Sequence, residues 1–275
     1  MNTKTLWISD LDGTLLNKDK QVNEYTKKVL NDVTSQGLQF SIATARTPAT
    51  VVDLLEGVHI SAPIVVMNGA AIYNMETRTY EQVNYLGVEM TNVVQKVLKD
   101  KGKSAFTYCI EDNQLIAYHT ELSLSVEKSF YEERQNNPRK VFKQEEVPHK
   151  DKVLYFIMMG NKEEIQEIYD TLKEYKAINQ AYYEDIYEKD IYYLEIYSYC
   201  VSKAQGIKTL KKNYGYDKII CFGDNYNDVE MFELADEGYA VENAVEKIKE
   251  LSTAVIGHHN ESGVARFIEA NWQKN

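Results

Sequence analysis

The chain has 275 residues, 44% hydrophobic and 27% charged, a composition that excludes disordered and fibrous classes and a length that suits two compact units. With 31 basic against 42 acidic residues its formal charge is -11, a field that disfavours nucleic acid and membrane partners. Cys109, Cys200 and Cys221 are odd in number and form no C-x-x-C pair, which argues against disulfides or zinc and for a reducing cytoplasm, and no stretch is long and apolar enough for an export signal or membrane helix.

The first predicted element is a buried strand, Leu6 to Asp10, an apolar run that ends in acidic and glycine residues. Val22, Tyr25, Val29 and Val33 then recur at three- and four-residue spacing before Gly37, the pattern of an amphipathic helix with a glycine stop. Phe40–Ala43 reads as a second strand, Thr47–Pro48 as a capped helix start, and Ile64–Met67 as a third strand. The last third repeats this alternation, with helices over Ser202–Tyr214 and Asp228–Ala235 and strands over Ile219–Phe222 and Tyr239–Val241. Alternating strands and helices imply right-handed crossovers, hence an α/β fold: a Rossmann-like, doubly wound parallel sheet.

Between these halves the texture changes. Strand-like stretches at Ser104–Ile110, Gln114–Tyr118, Val153–Gly160 and Ile191–Tyr197 mix with helical ones at Glu89–Lys101 and Lys162–Lys173. This α+β pattern predicts an inserted domain over 84–197 within a core formed by 1–83 and 198–275. The Tyr-rich run Tyr182–Tyr199 alternates as a strand would.

Four constellations carry chemistry. Asp10-Leu11-Asp12-Gly13-Thr14 follows the first strand directly, so a turn at Gly13 can bring two carboxylates to one site at the carboxyl end of a sheet, where ligands of open α/β folds bind. Ala43-Thr44-Ala45-Arg46 ends the second strand with a hydroxyl and adjacent amides suited to a phosphoryl oxygen. Lys203 opens a helix, an unfavourable place for a cation unless an anion lies nearby. Gly223-Asp224-Asn225-Tyr226-Asn227-Asp228 supplies further carboxylates where a strand turns to a helix, with Asp228 and Asn225 also able to serve that helix start.

In this order, D-x-D-G-T, Thr, Lys and G-D-x-x-N-D, the chain resembles the haloacid dehalogenase (HAD) superfamily, and 5–72 with 197–267 resemble its Cof-type phosphatases. Met67-Asn68-Gly69-Ala70, Glu195-Ile196, Asn243-Ala244 and Asn260-Glu261-Ser262-Gly263-Val264-Ala265 add to the likeness, and the inserted segment resembles the family's type C2B cap by size and position. Ala45, Glu242 and Tyr199-Cys200 depart from the family pattern, each in a loop, and none removes a catalytic side chain.

The resemblance implies a Mg²⁺-dependent phosphatase acting on small phosphorylated metabolites through an aspartyl-phosphate on Asp10. Asp12 would be the general acid and base. The metal ligands would be Asp10, the Asp12 carbonyl and Asp224, with Asp228 ligating directly or orienting a water. Leu11, Thr44, Ala45, Lys203 and Asn227 would hold the phosphoryl oxygens. Asn68 would support the site from behind, and Arg46 and Glu195 are candidate substrate contacts. Tyr108, Tyr118, His119 and Asp185 are candidate cleft residues in the inserted segment, although packing is the commoner role of such side chains. Two other readings stay open. A phosphomutase uses the same D-x-D pair, and a phosphate-responsive receiver also combines clustered acids with Thr and Lys, although it has no need of Asp12.

Overall fold

The computed structural model describes residues 3–185 and 188–272. The chain divides into two compact units, Met1–Gln82 with Ser202–Asn275, and Val83–Val201.

In the first unit the chain forms β1 (Thr5–Ser9), α1 (Glu24–Ser35), β2 (Gln39–Ile42), α2 (Pro48–Leu54), β3 (Ile64–Val66), β4 (Ala71–Asn74) and β5 (Thr79–Val83). The second unit follows with α3 (Val88–Asp100), β6 (Phe106–Glu111), β7 (Gln114–His119), α4 (Ser125–Glu132), β8 (Lys140–Gln144), β9 (Val153–Gly160), α5 (Lys162–Leu172), β10 (Ile178–Glu184) and β11 (Tyr192–Ser198). The first unit resumes with α6 (Lys203–Tyr214), β12 (Lys218–Gly223), α7 (Val229–Leu234), β13 (Glu237–Val241), α8 (Glu246–Leu251), β14 (Ala254–Ile256) and α9 (Gly263–Asn271).

The fold of the first unit is a five-stranded parallel sheet in the order β14-β13-β12-β1-β2. A bridge between Ala43 and Val65 carries it to β3, which turns back antiparallel into β4. β1 is an interior strand, between β12 and β2, and Leu6, Trp7 and Ile8 are all buried, the continuous apolar run expected of a strand covered on both faces. In α1 the Asn23 side chain accepts the Thr26 N–H and starts the helix. Its buried stripe is Thr26, Val29, Leu30 and Val33. Tyr25, expected in that stripe, instead turns outward and donates its hydroxyl to Glu269 on α9 at 2.6 Å. Pro48 opens α2, but the Thr47 side chain makes no capping bond; its carbonyl takes the Thr50 and Val51 N–H groups.

The second unit is a six-stranded sheet in the order β10-β11-β9-β6-β7-β8, antiparallel except for the β7–β8 pair. Residues of α3 and α5 such as Val94, Leu98, Ile165 and Ile168 pack with Cys109, Ile116, Phe156 and Ile196 of the sheet in one apolar cluster. The Tyr-rich run, which alternates as a strand would, is divided between two strands, and the stretch read as a strand at Ile191–Tyr197 is β11. β10 and β11 pair antiparallel, Tyr183 opposite Tyr193, because Tyr-rich alternation continues on both sides of the turn. Part of that turn lies outside the described residues.

Helix α6 lies against β3 through Gly206, where an added Cβ would stand 2.4 Å from Val65 Cγ1. A branched side chain there must displace the helix from the sheet. Gly206→Val is expected to lower stability by about 1–3 kcal/mol, read from the midpoint of denaturant unfolding; an unchanged midpoint would show that the α6–β3 approach is not needed.

Candidate active site

The site assembles at the carboxyl ends of β1, β2 and β12. The Asp10 N–H donates to the Phe222 carbonyl at 2.9 Å, tying the end of β1 to β12. The chain then kinks through Leu11–Leu15, with Gly13 at φ 77°. A Cβ at Gly13 would lie 2.4 Å from Asp224 Oδ2, so glycine serves both the left-handed backbone and the close approach of the carboxylate. The Thr14 hydroxyl donates to Asp224 Oδ1 at 3.1 Å. Behind the loop, the Asn243 side-chain amide donates to the Gly13 carbonyl at 2.8 Å, and the His259 ring meets the Leu16 carbonyl at 2.7 Å. The sequence reading gave no role to Thr14 or His259. Thr14 stands inside the D-x-D-G-T run, a signal that was available, whereas His259 is 243 residues from its partner and left none.

After β12, Asp228 is fully buried, and its Oδ2 accepts the N–H groups of Asp224 at 3.0 Å and Asn225 at 3.2 Å. The Asn225 side chain in turn accepts the Tyr226 N–H, so both residues serve the short turn Tyr226–Asp228 ahead of α7. Lys203, the first residue of α6, donates to Asp10 Oδ1 at 2.5 Å and to Asp228 Oδ1 at 2.6 Å. A cation at a helix N-terminus opposes the helix dipole, and here two buried carboxylates more than compensate.

Burial pulls Lys203 toward neutrality, but Asp10 and Asp228 outweigh it and hold the ammonium above the ordinary lysine range. Burial likewise pushes Asp10 well above the usual carboxylate range; Lys203 opposes this, while Asp228 and Asp224 add to it. Asp224 is pushed up to about 6, first by burial and then by Asp228, against the Thr14 hydrogen bond and Lys203. Three carboxylates therefore face one ammonium. One oxygen from each of Asp10, Asp224 and Asp228 falls within a cluster 4.8 Å across, close enough to share a metal ion. An all-oxygen donor set with surplus negative charge fits a hard divalent cation.

The remaining candidates are arranged around this cluster. Asp12 turns to Arg46, whose Nε and Nη2 both donate to its carboxylate at 2.6 Å. Thr44 is buried and its hydroxyl accepts the Arg46 N–H at 3.1 Å; Ala45 beside it is exposed. Asn68, at φ 54°, donates its N–H to the Thr44 carbonyl and so braces the end of β2. Leu11 is buried and Asn227 exposed at the start of their respective turns. Glu195 belongs to the second unit, on β11.

A family model described as haloacid dehalogenase-like hydrolase matches residues 7–268. The chain belongs to that family. Over 94% of its length it is 26% identical to the 5-amino-6-(5-phospho-D-ribitylamino)uracil phosphatase YwtE of Bacillus subtilis, covering 95% of that protein. Among solved structures, a haloacid dehalogenase-like hydrolase from Bacteroides thetaiotaomicron superposes with a TM-score of 0.78 at 23% identity, covering 98% of this chain and all 100% of the other. The HAD subclass IIB sugar phosphatase BT4131 superposes with a TM-score of 0.73 at 19% identity, over 98% of each chain. The HAD-like parallel core is therefore the fold of this chain, and the chain is a phosphatase-type member of the family. Among the described residues no helix is long and apolar enough to cross a membrane.

The strained electrostatics of the site are measurable without substrate. Because the folded state holds Asp224 up to about 6, above the ordinary carboxylate value of 3.8, its ionisation destabilises the fold. That cost is fully present above about pH 6, shrinks as pH falls through the folded value, and is absent below the unfolded one. In chelator at pH 7.5, Asp224→Asn is expected to be more stable than the wild type by about 1–3 kcal/mol, with the difference closing near pH 4. Denaturant unfolding of both proteins across this range checks it; a variant less stable at pH 7.5 would contradict the assigned strain.

Proposed function

We propose that the protein is a Mg²⁺-dependent phosphatase that hydrolyses small phosphomonoesters, sugar phosphates or similar metabolites, through a phosphoryl group carried on Asp10. The observation that carries this reading is the Lys203 bridge. It engages Asp10 Oδ1 and is itself held by Asp228, so one oxygen of a buried carboxylate is anchored while the other is left to act at the end of β1. The acidic chain and its cysteines, free in the structure, suit the cytoplasm.

In this reading Asp10 attacks phosphorus, the ester P–O bond breaks, and Asp12 gives its proton to the departing oxygen. Asp12 then takes a proton from the water that displaces Asp10 and releases inorganic phosphate. To reach the leaving oxygen Asp12 must swing away from Arg46, and the guanidinium can then meet the substrate. Thr44, Lys203, Asn227 and the Leu11 and Ala45 amides hold the phosphoryl oxygens as charge builds on them. Asp10, Asp224 and the Asp12 carbonyl would hold Mg²⁺, with Asp228 fixing the loop behind them, and the ion would offset the repulsion between carboxylate and phosphate dianion. Asn68 keeps the β2 end in register with Thr44. The inserted unit, as a C2B-type cap, would choose among leaving groups, because the core residues address only the phosphoryl group.

Phosphate release from a panel of phosphomonoesters tests this. Release is expected with Mg²⁺ and without any bisphosphate activator, and is expected to vanish in excess chelator; turnover that persists in chelator would remove the metal from the mechanism, and dependence on a bisphosphate would indicate a mutase.

The two acids separate on an activated ester. Asp10→Asn is expected to reduce hydrolysis of every ester to background. Asp12→Asn is expected to slow sugar phosphates by roughly 10²–10⁴-fold, yet with para-nitrophenyl phosphate to give a burst of phenolate followed by slow phosphate release. Rapid-quench measurement decides: equal suppression of both products, with no trapped phosphoenzyme, would refute these roles.

A further inference from the structure

Lys140 opens β8, where the register sets it beside Leu115 of β7. Alternation along β7 sends Ile116 and Tyr118 into the cluster under α3 and α5, so Leu115 and Lys140 take the opposite face, the one that α4 covers. The residue is 5% exposed. Its ammonium lies 4.9 Å from the centre of the Phe142 ring, 5.6 Å from that of Tyr108 and 5.9 Å from that of Phe130. Ring faces attract a cation, but they do not replace the oxygen acceptors that an ammonium has in water. Among the described residues Nζ makes no hydrogen bond and no ion pair.

The charge that bears on it is of the same sign. Arg134, just after α4, lays its guanidinium on the Phe130 ring, 4.1 Å from the centre. Its Nη1 donates to the Phe130 carbonyl at 3.2 Å and to Glu133 at 2.6 Å; among the described residues Nε and Nη2 make no hydrogen bond. Burial first, and then this neighbour, bring the Lys140 ammonium down to about 7. The other titratable groups around it give no relief. Burial pushes the Tyr108 phenol up, so it stays neutral; Tyr131 and His119 meet Phe142 by their rings; and Glu133 is engaged by Arg134 at the exposed edge. A buried charge is ordinarily matched by an opposite one, and the described residues do not supply it.

We propose that Lys140 and Arg134 form a binding site, within the second unit, for a small carboxylate that carries an aromatic or apolar body. This goes beyond the phosphatase reading and does not depend on it. A guanidinium with Nε and Nη2 open presents the edge that takes a carboxylate through two parallel hydrogen bonds, and the Lys140 ammonium adds a further donor. Glu133 balances one of the two cations, so one positive charge is left. A monoanion matches it, whereas a phosphate dianion would bring uncompensated charge among aromatic rings. Phe142, only partly buried, offers ring surface to the body of the ligand.

Calorimetry on the full chain with benzoate, at pH 8 in two buffers of different ionisation enthalpy, tests this. Benzoate is expected to bind more tightly than acetate and to take up about one proton, because a bound carboxylate returns the charge to Lys140. At pH 6, where the free ammonium is already charged, the uptake is expected to vanish. Lys140→Met is expected to abolish the uptake and to weaken binding by about tenfold or more, and Arg134→Gln to weaken it by a similar factor. Lys140→Met is also expected to unfold at a denaturant midpoint no lower than that of the wild type, since methionine replaces an ammonium that has no acceptor. The proposal is overturned by an absence of benzoate binding, by binding without proton uptake at pH 8, or by binding that survives both substitutions. A lowered Lys140→Met midpoint, or a variant that does not fold, overturns it as well, because the lysine then serves the fold. Displacement of benzoate by inorganic phosphate at lower concentration than by acetate would overturn the carboxylate assignment.

Discussion

The arrangement of the core depends on one buried cation. Lys203 is the only positive charge among four close ionisable groups, and it is 2% exposed. Desolvating an ammonium and its carboxylate partners is expensive, and removing one partner leaves the others uncompensated. The bridge therefore fixes three chain segments at once: the end of β1 through Asp10, the turn after β12 through Asp228, and the start of α6 through Lys203 itself. These segments are 193 and 25 residues from the lysine in sequence. The β1–β12 pairing brings them together, and the bridge then sets them to within hydrogen-bond distance.

The same economy governs the glycines of the two acidic motifs. A Cβ at Gly13 would strike Asp224 Oδ2 at 2.4 Å, and one at Gly223 would strike Asp228 Oδ2 at 2.6 Å. In each motif glycine makes room for a carboxylate to lie against the main chain. At Asp228 that approach is used fully, because its Oδ2 takes two main-chain N–H groups while Oδ1 takes the lysine. The residue thus holds the Asp224 loop in shape, and of the three clustered acids it is the one most committed to protein partners. Asp10 and Asp224 keep the surplus charge that a divalent cation would balance.

What the sequence revealed of this site follows from how local each signal is. D-x-D-G-T and G-D-x-x-N-D each announce a carboxylate where a strand stops, and that needs only the adjoining apolar run to be recognised. The alternation of strands and helices likewise made the parallel sheet readable. Thr14 with Asp224, Asn243 with Gly13, and His259 with the Leu16 carbonyl join residues more than 200 apart, and no spacing rule reaches that far. The inserted unit was harder for a different reason. Tyrosine alternation runs through β10, the turn and β11 alike, so periodicity could show extended chain but not where it reverses. Strand β8 pairs parallel to β7 with α4 between them, and its Lys140 sits buried among aromatic rings, a placement that composition argues against.

In the Asp12–Arg46 pair the resting geometry differs from the one that the proposed acid–base role of Asp12 needs. Asp10 and Asp12 are two residues apart, and the kink at Gly13 could have turned both toward the lysine. Instead Asp10 is buried against Lys203, and Asp12, with a half-exposed side chain, forms a two-pronged pair with Arg46 from the end of β2. The separation assigns the two carboxylates to different environments: one desolvated and anchored, the other at the solvent edge on an arginine. A bidentate Arg–carboxylate pair is among the stronger surface ion pairs, so it opens when another anion takes the arginine. A phosphoester entering over Thr44 would offer Arg46 a competing dianion, and the carboxylate released by that exchange lies two residues along the chain from Asp10. Substrate binding and the freeing of Asp12 would then be one event, which gives Arg46 a reason to stand beside the acid before any substrate arrives.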